Sequence, residues 1–239
     1  MGSLRGKVAI VTGASRGIGK AIALALAKEG LRVGLVARSE ADLGTVAQQI
    51  EQAGSSALTL SLDLEQLDRI PDLACELGEV FGQVHCLVNN AGTFVEQSFD
   101  DLTIEQFDHM LKVNLMAPFI LTRELLPLLR ADGGGRVINI VSTSAVQGYS
   151  RQSGYCASKH GLLGLMRGLA LEVKSDHVHV HNLCPGGVDT AFIDGTDLGR
   201  RLAGQVKMVP EDIAALVVFL LKQSPNIDLP EIVLRRFSI

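Results

Sequence analysis

The chain has no tryptophan, only two tyrosines and 4% aromatic residues. Its apolar content, 47%, is carried instead by Ala, Leu, Val and Ile, and 25 Gly stand beside them. That palette suits a buried parallel sheet with helices packed closely upon it. Charge of one sign is missing too. Lys and Arg number 22 against 26 Asp and Glu, a net −4 spread along the chain, which argues against a nucleic-acid surface or an acidic tail. The four cysteines, Cys75, Cys86, Cys156 and Cys184, form neither a CxxC pair nor a disulfide framework, as expected in a reducing cytosol. No apolar run reaches the roughly 20 residues of a membrane helix; the longest is Ala214 to Leu221. Val8 to Val11 is too short for a secretory signal, and Gly6 stands where the myristoylation motif that begins Met1-Gly2 needs Ser or Thr. The expectation is a soluble cytoplasmic protein.

What is present is alternation. Short β-branched runs at Val8–Thr12, Arg32–Ala37, Ala57–Leu62, Cys86–Asn89, Val137–Val141 and Val178–Leu183 read as buried strands. Helical patterns lie at Gly17–Glu29, Glu40–Ala53, Leu67–Phe81, Ile104–Leu129, Gly154–Lys174 and Glu211–Lys222, with a last short strand at Glu231–Arg235. Such alternation predicts right-handed crossovers and an α/β doubly wound parallel sheet. With no long linker or repeat, residues 1–239 read as a single domain.

The first strand runs into Gly13-Ala14-Ser15-Arg16-Gly17-Ile18-Gly19, and a helix follows at once. Glycines there let backbone approach a pyrophosphate, and the helix start supplies free N–H groups and a positive dipole end. The spacing is G-x-x-x-G-x-G, and tight helix–strand packing is the alternative reason for it. After the second strand, where an acid would grip the ribose 2′-hydroxyl of NAD, stands Ala37-Arg38-Ser39. Arg38 and Arg16 suit a 2′-phosphate, unless they are ordinary surface arginines, so NADP(H) is the expected cofactor.

Tyr155 and Lys159 lie four apart on a predicted helix and share a face. A cation beside a phenol lowers its pKa, which is one way to make tyrosine a general acid or base. Ser142 and Ser144 both follow the fifth strand, and Ser142 is the preferred partner. Asn114 is polar inside an apolar helix, with Pro118 four residues on leaving its carbonyl without a helical N–H. His177, His179 and His181 alternate along a strand pattern without acidic or cysteine partners, so no metal site is expected.

Taken together, the chain resembles the single-domain short-chain dehydrogenases/reductases. The resemblance rests on the glycine turn, Asp63-Leu64, Asn89-Asn90-Ala91-Gly92, Asn114, Ser142, the Tyr155/Lys159 pair and Pro185-Gly186, in order and over nearly the whole length. It implies a carbonyl–alcohol oxidoreductase. Asp63 would bind the adenine amino group with Leu64 beside it, and Asn90, Ala91 and Gly92 would pack by the adenosine. Pro185, Gly186, Val188 and Thr190 would hold the nicotinamide end, and Lys159 the ribose. Ser142 would bind the substrate oxygen, Tyr155 would exchange its proton, and Asn114 would hold a water linked to Lys159.

The nearest broad resemblance is to 3-oxoacyl-carrier-protein reductases and 3-hydroxy acid dehydrogenases. Gly133-Gly134-Gly135 and Lys174-Ser175-Asp176 stand where carrier-protein enzymes tend to be basic, which argues against a carrier-protein partner. The segment between Gly186 and Pro210 is short for a substrate lid, and Glu231–Arg236 replaces the usual glycine-rich ending. A non-catalytic NADP(H)-binding regulator and an epimerase or dehydratase are the rival functions. The helices at 104–129 and 154–174 are apolar around much of their circumference, which predicts a homodimer or homotetramer unless the chain's own loops cover them.

Overall fold

The first strand, β1 (Val8–Thr12), is buried along its whole length and sends alternate side chains to opposite faces. Ala9 and Val11 join one apolar cluster, Val8 and Ile10 the other. The computed structural model describes residues 3–131 and 133–237; the Met1-Gly2 pair lies outside them. The further strands are β2 (Arg32–Ala37), β3 (Ala57–Ser61), β4 (Cys86–Asn89), β5 (Arg136–Ile140), β6 (His179–Pro185) and β7 (Glu231–Leu234). They form one seven-stranded sheet in the order β3-β2-β1-β4-β5-β6-β7. Every pairing is parallel. The order reverses between β1 and β4, and a crevice opens beyond the strand ends at such a point.

Helices α1 (Gly17–Lys28) and α2 (Glu40–Gln52) follow the first two strands. Ser39 caps α2 by accepting from the Asp42 N–H at 3.3 Å, and Glu40 and Asp42 sit in its first turn, where the dipole favours acids. The predicted helix 67–81 divides into a 3₁₀ turn at Leu67–Arg69 and α3 (Ile70–Phe81). Pro71, lacking an N–H, is accommodated in the first turn of α3.

The predicted continuous helix 104–129 is interrupted as well. It comprises α4 (Ile104–Leu111), a π-helical segment Lys112–Met116 and α5 (Ala117–Arg130). Pro118 has no N–H to return to Asn114, and the Ala117 N–H bonds the Lys112 carbonyl, the wider π spacing. Next come α6 (Ser153–Glu172), the short α7 (Asp197–Arg201) and α8 (Pro210–Leu221). Helices α1, α2 and α8 cover one sheet face through Ile22, Leu26, Ile50 and Val217. Helices α3, α5 and α6 cover the other through Leu77, Leu121, Leu125, Leu162 and Met166.

The sheet carries a buried amide ladder that patterning does not reveal. Asn89, Asn139 and Asn182 stand at paired positions of β4, β5 and β6. Asn89 Nδ2 donates to Asn139 Oδ1 at 2.9 Å, and Asn139 Nδ2 donates to Asn182 Oδ1 at 3.0 Å. Most of the ladder's buried polar atoms are thereby paired, which makes their burial tolerable; Asn89 Oδ1 has no partner among the described residues.

Candidate active site

Thr12 closes the end of β1 against the end of β4. Its hydroxyl accepts from the Asn90 and Ala91 N–H groups, both at 3.0 Å, and donates to the Val88 carbonyl at 3.3 Å. Asn90 Nδ2 donates back to the Thr12 carbonyl at 2.8 Å. This close approach requires glycine. A Cβ on Gly13, whose φ is +64°, would stand 2.8 Å from Asn90 Nδ2, and one on Gly19 would stand 2.2 Å from the Gly13 carbonyl oxygen. Gly19 therefore packs behind the turn and does not line the cleft. The packing reason holds at Gly13 and Gly19, while Gly13 and Gly17 also line the cleft.

A cleft of about 960 Å³ runs across the strand ends. At one end Gly13, Ser15, Arg16, Gly17 and Ile18 meet Arg38, Asp63 and Leu64, followed by Asn90, Ala91 and Gly92. At the other are Ser142, Tyr155, Lys159, Pro185, Gly186, Val188 and Thr190. Arg38 lies 3.8 Å from Asp63 and is 68% exposed, so this pair contributes little on its own and leaves the guanidinium available. The first turn of α1 contains no acid, and no side chain caps its N–H groups. Free donors, a positive dipole end and two arginines on one wall fit a phosphorylated dinucleotide.

Tyr155 and Lys159 emerge one turn apart on α6, and both are buried. Lys159 Nζ donates to the Ile140 carbonyl at 3.1 Å and lies 5.9 Å from the centre of the Tyr155 ring. Burial pushes the Lys159 pKa down to about 8. The expected lowering of the Tyr155 pKa is not found. Burial raises it above the ordinary phenol value, and the Ser142 side chain offsets this only in part. At this distance, and with its ammonium turned to Ile140, Lys159 does not outweigh desolvation.

The two serines differ in placement. Ser142 Oγ accepts from the Ser144 N–H at 3.0 Å and lies close enough to the Tyr155 hydroxyl to favour its ionisation. Ser144 Oγ donates to Gln152 Oε1 at 3.3 Å in a buried position. Asn114 does not line the cleft; it stands behind it. Its Nδ2 donates to Ser158 Oγ at 3.0 Å, and Ser158 donates to the Tyr155 carbonyl at 2.8 Å, so Asn114 braces the turn between Tyr155 and Lys159. A Cβ on Gly92 would find Asn114 Oδ1 at 3.3 Å and Lys159 Nζ at 3.7 Å. His179 and His181 stack at 5.9 Å, and His181 Nδ1 meets the Leu229 carbonyl at 2.9 Å. His177 precedes the strand, in a left-handed turn. Among the described residues no group of three or more His, Cys, Asp or Glu is placed to hold a metal.

Several wall residues are not singled out by sequence. Phe94 meets Tyr155 edge to face, centroids 5.0 Å apart, and Phe192 lies 6.3 Å from it. Their only signal is proximity in sequence to Gly92 and Thr190. The lid segment holds a 3₁₀ turn at Ala191–Ile193 and α7, which the sequence reading lacks; Thr196 caps α7 by accepting from Gly199 N–H at 3.0 Å. Glu96, with its side chain 2% exposed, accepts from Leu198 N–H at 2.7 Å and Arg201 Nη2 at 2.8 Å, tying α7 across the cleft.

Glycine turn, arginine end and a cleft wall of Tyr155, Lys159 and Ser142 on one doubly wound sheet define a dinucleotide-dependent oxidoreductase class. The short chain dehydrogenase family model matches residues 7–198. The chain is 33% identical over 235 residues to an uncharacterized oxidoreductase of Staphylococcus epidermidis, covering 98% of this chain and 99% of that one. It superposes with a TM-score of 0.86 on a metagenomic short-chain oxidoreductase in complex with NADP, 34% identical and covering 100% of both chains. A Burkholderia cenocepacia short chain dehydrogenase in complex with NADP gives 0.88 at 33% identity, over 98% of each chain. The protein belongs to the short-chain dehydrogenase/reductase family, oxidoreductases that work with NAD(P). Among the described residues no helix is long and apolar enough to cross a membrane.

Proposed function

We propose that the protein is an NADP(H)-dependent oxidoreductase that interconverts a carbonyl compound and a secondary alcohol, with the whole chain as one catalytic domain. The observation that carries this reading is the convergence of Tyr155, Ser142 and Lys159 on one cleft wall, Tyr155 and Lys159 one helical turn apart on α6, in the same cleft as the glycine turn. The nicotinamide, when bound, supplies or accepts the hydride. Ser142 and Tyr155 present hydroxyl donors to the oxygen that gains charge, and preorganised donors at that oxygen stabilise the transition state. A Tyr155 pKa above the ordinary value keeps the phenol protonated, the form needed to deliver a proton in the reductive direction. Lys159, fixed by the Ile140 carbonyl, holds a positive charge below pH about 8 and stands ready for the ribose hydroxyls. Asn114 acts through Thr93 and Ser158 to keep this face in place.

Arg16 and Arg38 are assigned to the 2′-phosphate, with NADP in the two related structures as support. The free cysteines, three of them buried, accord with a reducing cytoplasm. A homodimer or homotetramer belongs to the same reading. The chain's own packing covers Leu162, Leu163 and Met166 of α6, while Gly164, Gly168 and Leu171 face outward, as do Met116 and Phe119 before and within α5. The deciding experiment is nicotinamide absorbance with a panel of ketones, oxo acids and sugars. Net NADPH oxidation is expected. Cofactor binding with no net oxidation by any carbonyl compound favours a regulator or an epimerase.

A further inference from the structure

The strand β7 ends at Leu234, whose carbonyl accepts from the Gly186 N–H at 2.9 Å, so the next two residues step directly onto the cleft. They are Arg235 and Arg236, and both line it. Arg236 crosses the Gly186-Gly187 turn, its Cδ only 3.4 Å from where a Gly187 Cβ would stand. Neither arginine is neutralised. Arg235 donates to the Gln147 amide oxygen at 3.2 Å and Arg236 to the Gln205 amide oxygen at 2.6 Å. Among the described residues neither has a carboxylate partner, whereas Arg130, Arg167 and Arg201 all do. A guanidinium has five N–H donors, so each retains several for a ligand.

The acids of the cleft are placed at its far end. Asp42 and Asp63 are the only carboxylates among its described wall residues, and Asp63 lies 3.8 Å from Arg38. Of the acids in the lid region, Asp194 does not line the cleft and three others are ion-paired. Asp189 pairs with Lys207 at 2.9 Å, Asp197 with Arg151 at 3.6 Å, and Glu96 with Arg201 at 2.8 Å. Phe94, Phe192, Leu198 and Leu202 supply apolar wall to the same cleft, and Leu202 approaches Gly187 together with the half-buried Arg236, while Arg235 is exposed.

We propose that the carbonyl substrate carries an oxyanion, a carboxylate or a phosphate, held by Arg235 and Arg236, an assignment that rests on the reductase reading above. Planar, forked donors match both groups, and a neutral ketone leaves both guanidinium groups without a counter-charge.

The test compares matched substrates by NADPH oxidation: acetoacetate and levulinate against their methyl esters, and dihydroxyacetone phosphate against dihydroxyacetone. For at least one pair the anion is expected to lead in kcat/KM by roughly ten- to hundredfold. The pair that shows the lead distinguishes carboxylate from phosphate. The double variant Arg235→Gln/Arg236→Gln should collapse that ratio, and Arg236→Lys should keep part of it. Turnover of neutral ketones with no advantage for any anion overturns the assignment while the reductase reading stands, and so does an unchanged ratio in the double variant. If no compound oxidises NADPH, the reductase reading fails by itself. Titration calorimetry of levulinate and of dihydroxyacetone phosphate into NADP-loaded protein then decides the anion site. Binding lost in the double variant supports it; no binding, or binding unchanged by the variant, refutes it.

Discussion

Asn114 grips the backbone of Thr93 with both ends of its side-chain amide. Thr93 N–H donates to Oδ1 at 2.8 Å, and Nδ2 donates to the Thr93 carbonyl at 2.9 Å. A loop strand is thus paired by a side chain projecting from a π-helical segment, and Thr93 is carried to the cleft wall. Asn114→Ala removes two hydrogen bonds to the part-buried Thr93 backbone and one to Ser158, which keeps its bond to the Tyr155 carbonyl, a loss of roughly 3 kcal/mol. For a chain of this size that is a fall in Tm of about 6–12 °C. Calorimetric melting that shifts by less than about 2 °C would show that the clamp is dispensable.

Tyr155→Phe removes the hydroxyl and leaves the ring against Phe94 and Phe192. Turnover is expected to fall by about 10²–10⁴ or more, the contribution of a positioned proton donor, with NADPH binding little changed. Wild-type turnover in this variant on a true carbonyl substrate refutes the assignment.

Arg38→Asp places a carboxylate where the guanidinium stands and beside Asp63. NADPH affinity should drop by roughly ten- to hundredfold while NADH affinity holds, read by fluorescence titration. An unmodified protein that binds NADH more tightly than NADPH contradicts the cofactor assignment.

Burial holds Lys159 at about 8, below its ordinary 10.5. Below the folded value both states are protonated, and the folded protein bears the full cost of a buried charge. Between about 8 and 10.5 the folded state releases its proton first, so the unfolded state binds more protons and this group's contribution to stability rises with pH. The slope approaches about 1.4 kcal/mol per pH unit. The raised thiols of Cys86 and Cys184 act in the opposite sense above pH about 9, Cys86 in wild type and variant alike and Cys184 with a difference set only by Lys159, the smallest influence on it. Urea unfolding of wild type and Lys159→Met across this window should therefore give a difference that grows in favour of wild type. A difference that is flat with pH removes the claim.

Leu171 is 79% exposed on α6, and Leu165 on the same helix packs partly into the core. A charge at Leu165 would thus confound folding with assembly, and Leu171→Glu is the cleaner probe. Light scattering is expected to report a dimer or tetramer for wild type and a smaller species for the variant. A monomeric wild type disposes of the assembly proposal.

Local pattern was enough to read all seven strand positions to within two residues, the doubly wound class and the glycine turn. A parallel strand buried on both faces needs a continuous β-branched run, and a phosphate turn needs glycines at its tight points; both requirements are written in adjacent residues. The shared face of Tyr155 and Lys159 was equally local, being one helical turn. What the tertiary structure decided were contacts between residues far apart in sequence. The Asn89–Asn139–Asn182 ladder, the Glu96 tie to α7 and the arrival of Arg235 and Arg236 at the cleft each join segments whose separation no periodicity encodes. The direction of the Tyr155 pKa belongs to the same group. Its lysine was visible in the sequence, but the burial that outweighs that lysine is a property of the packed sheet, helix and lid together.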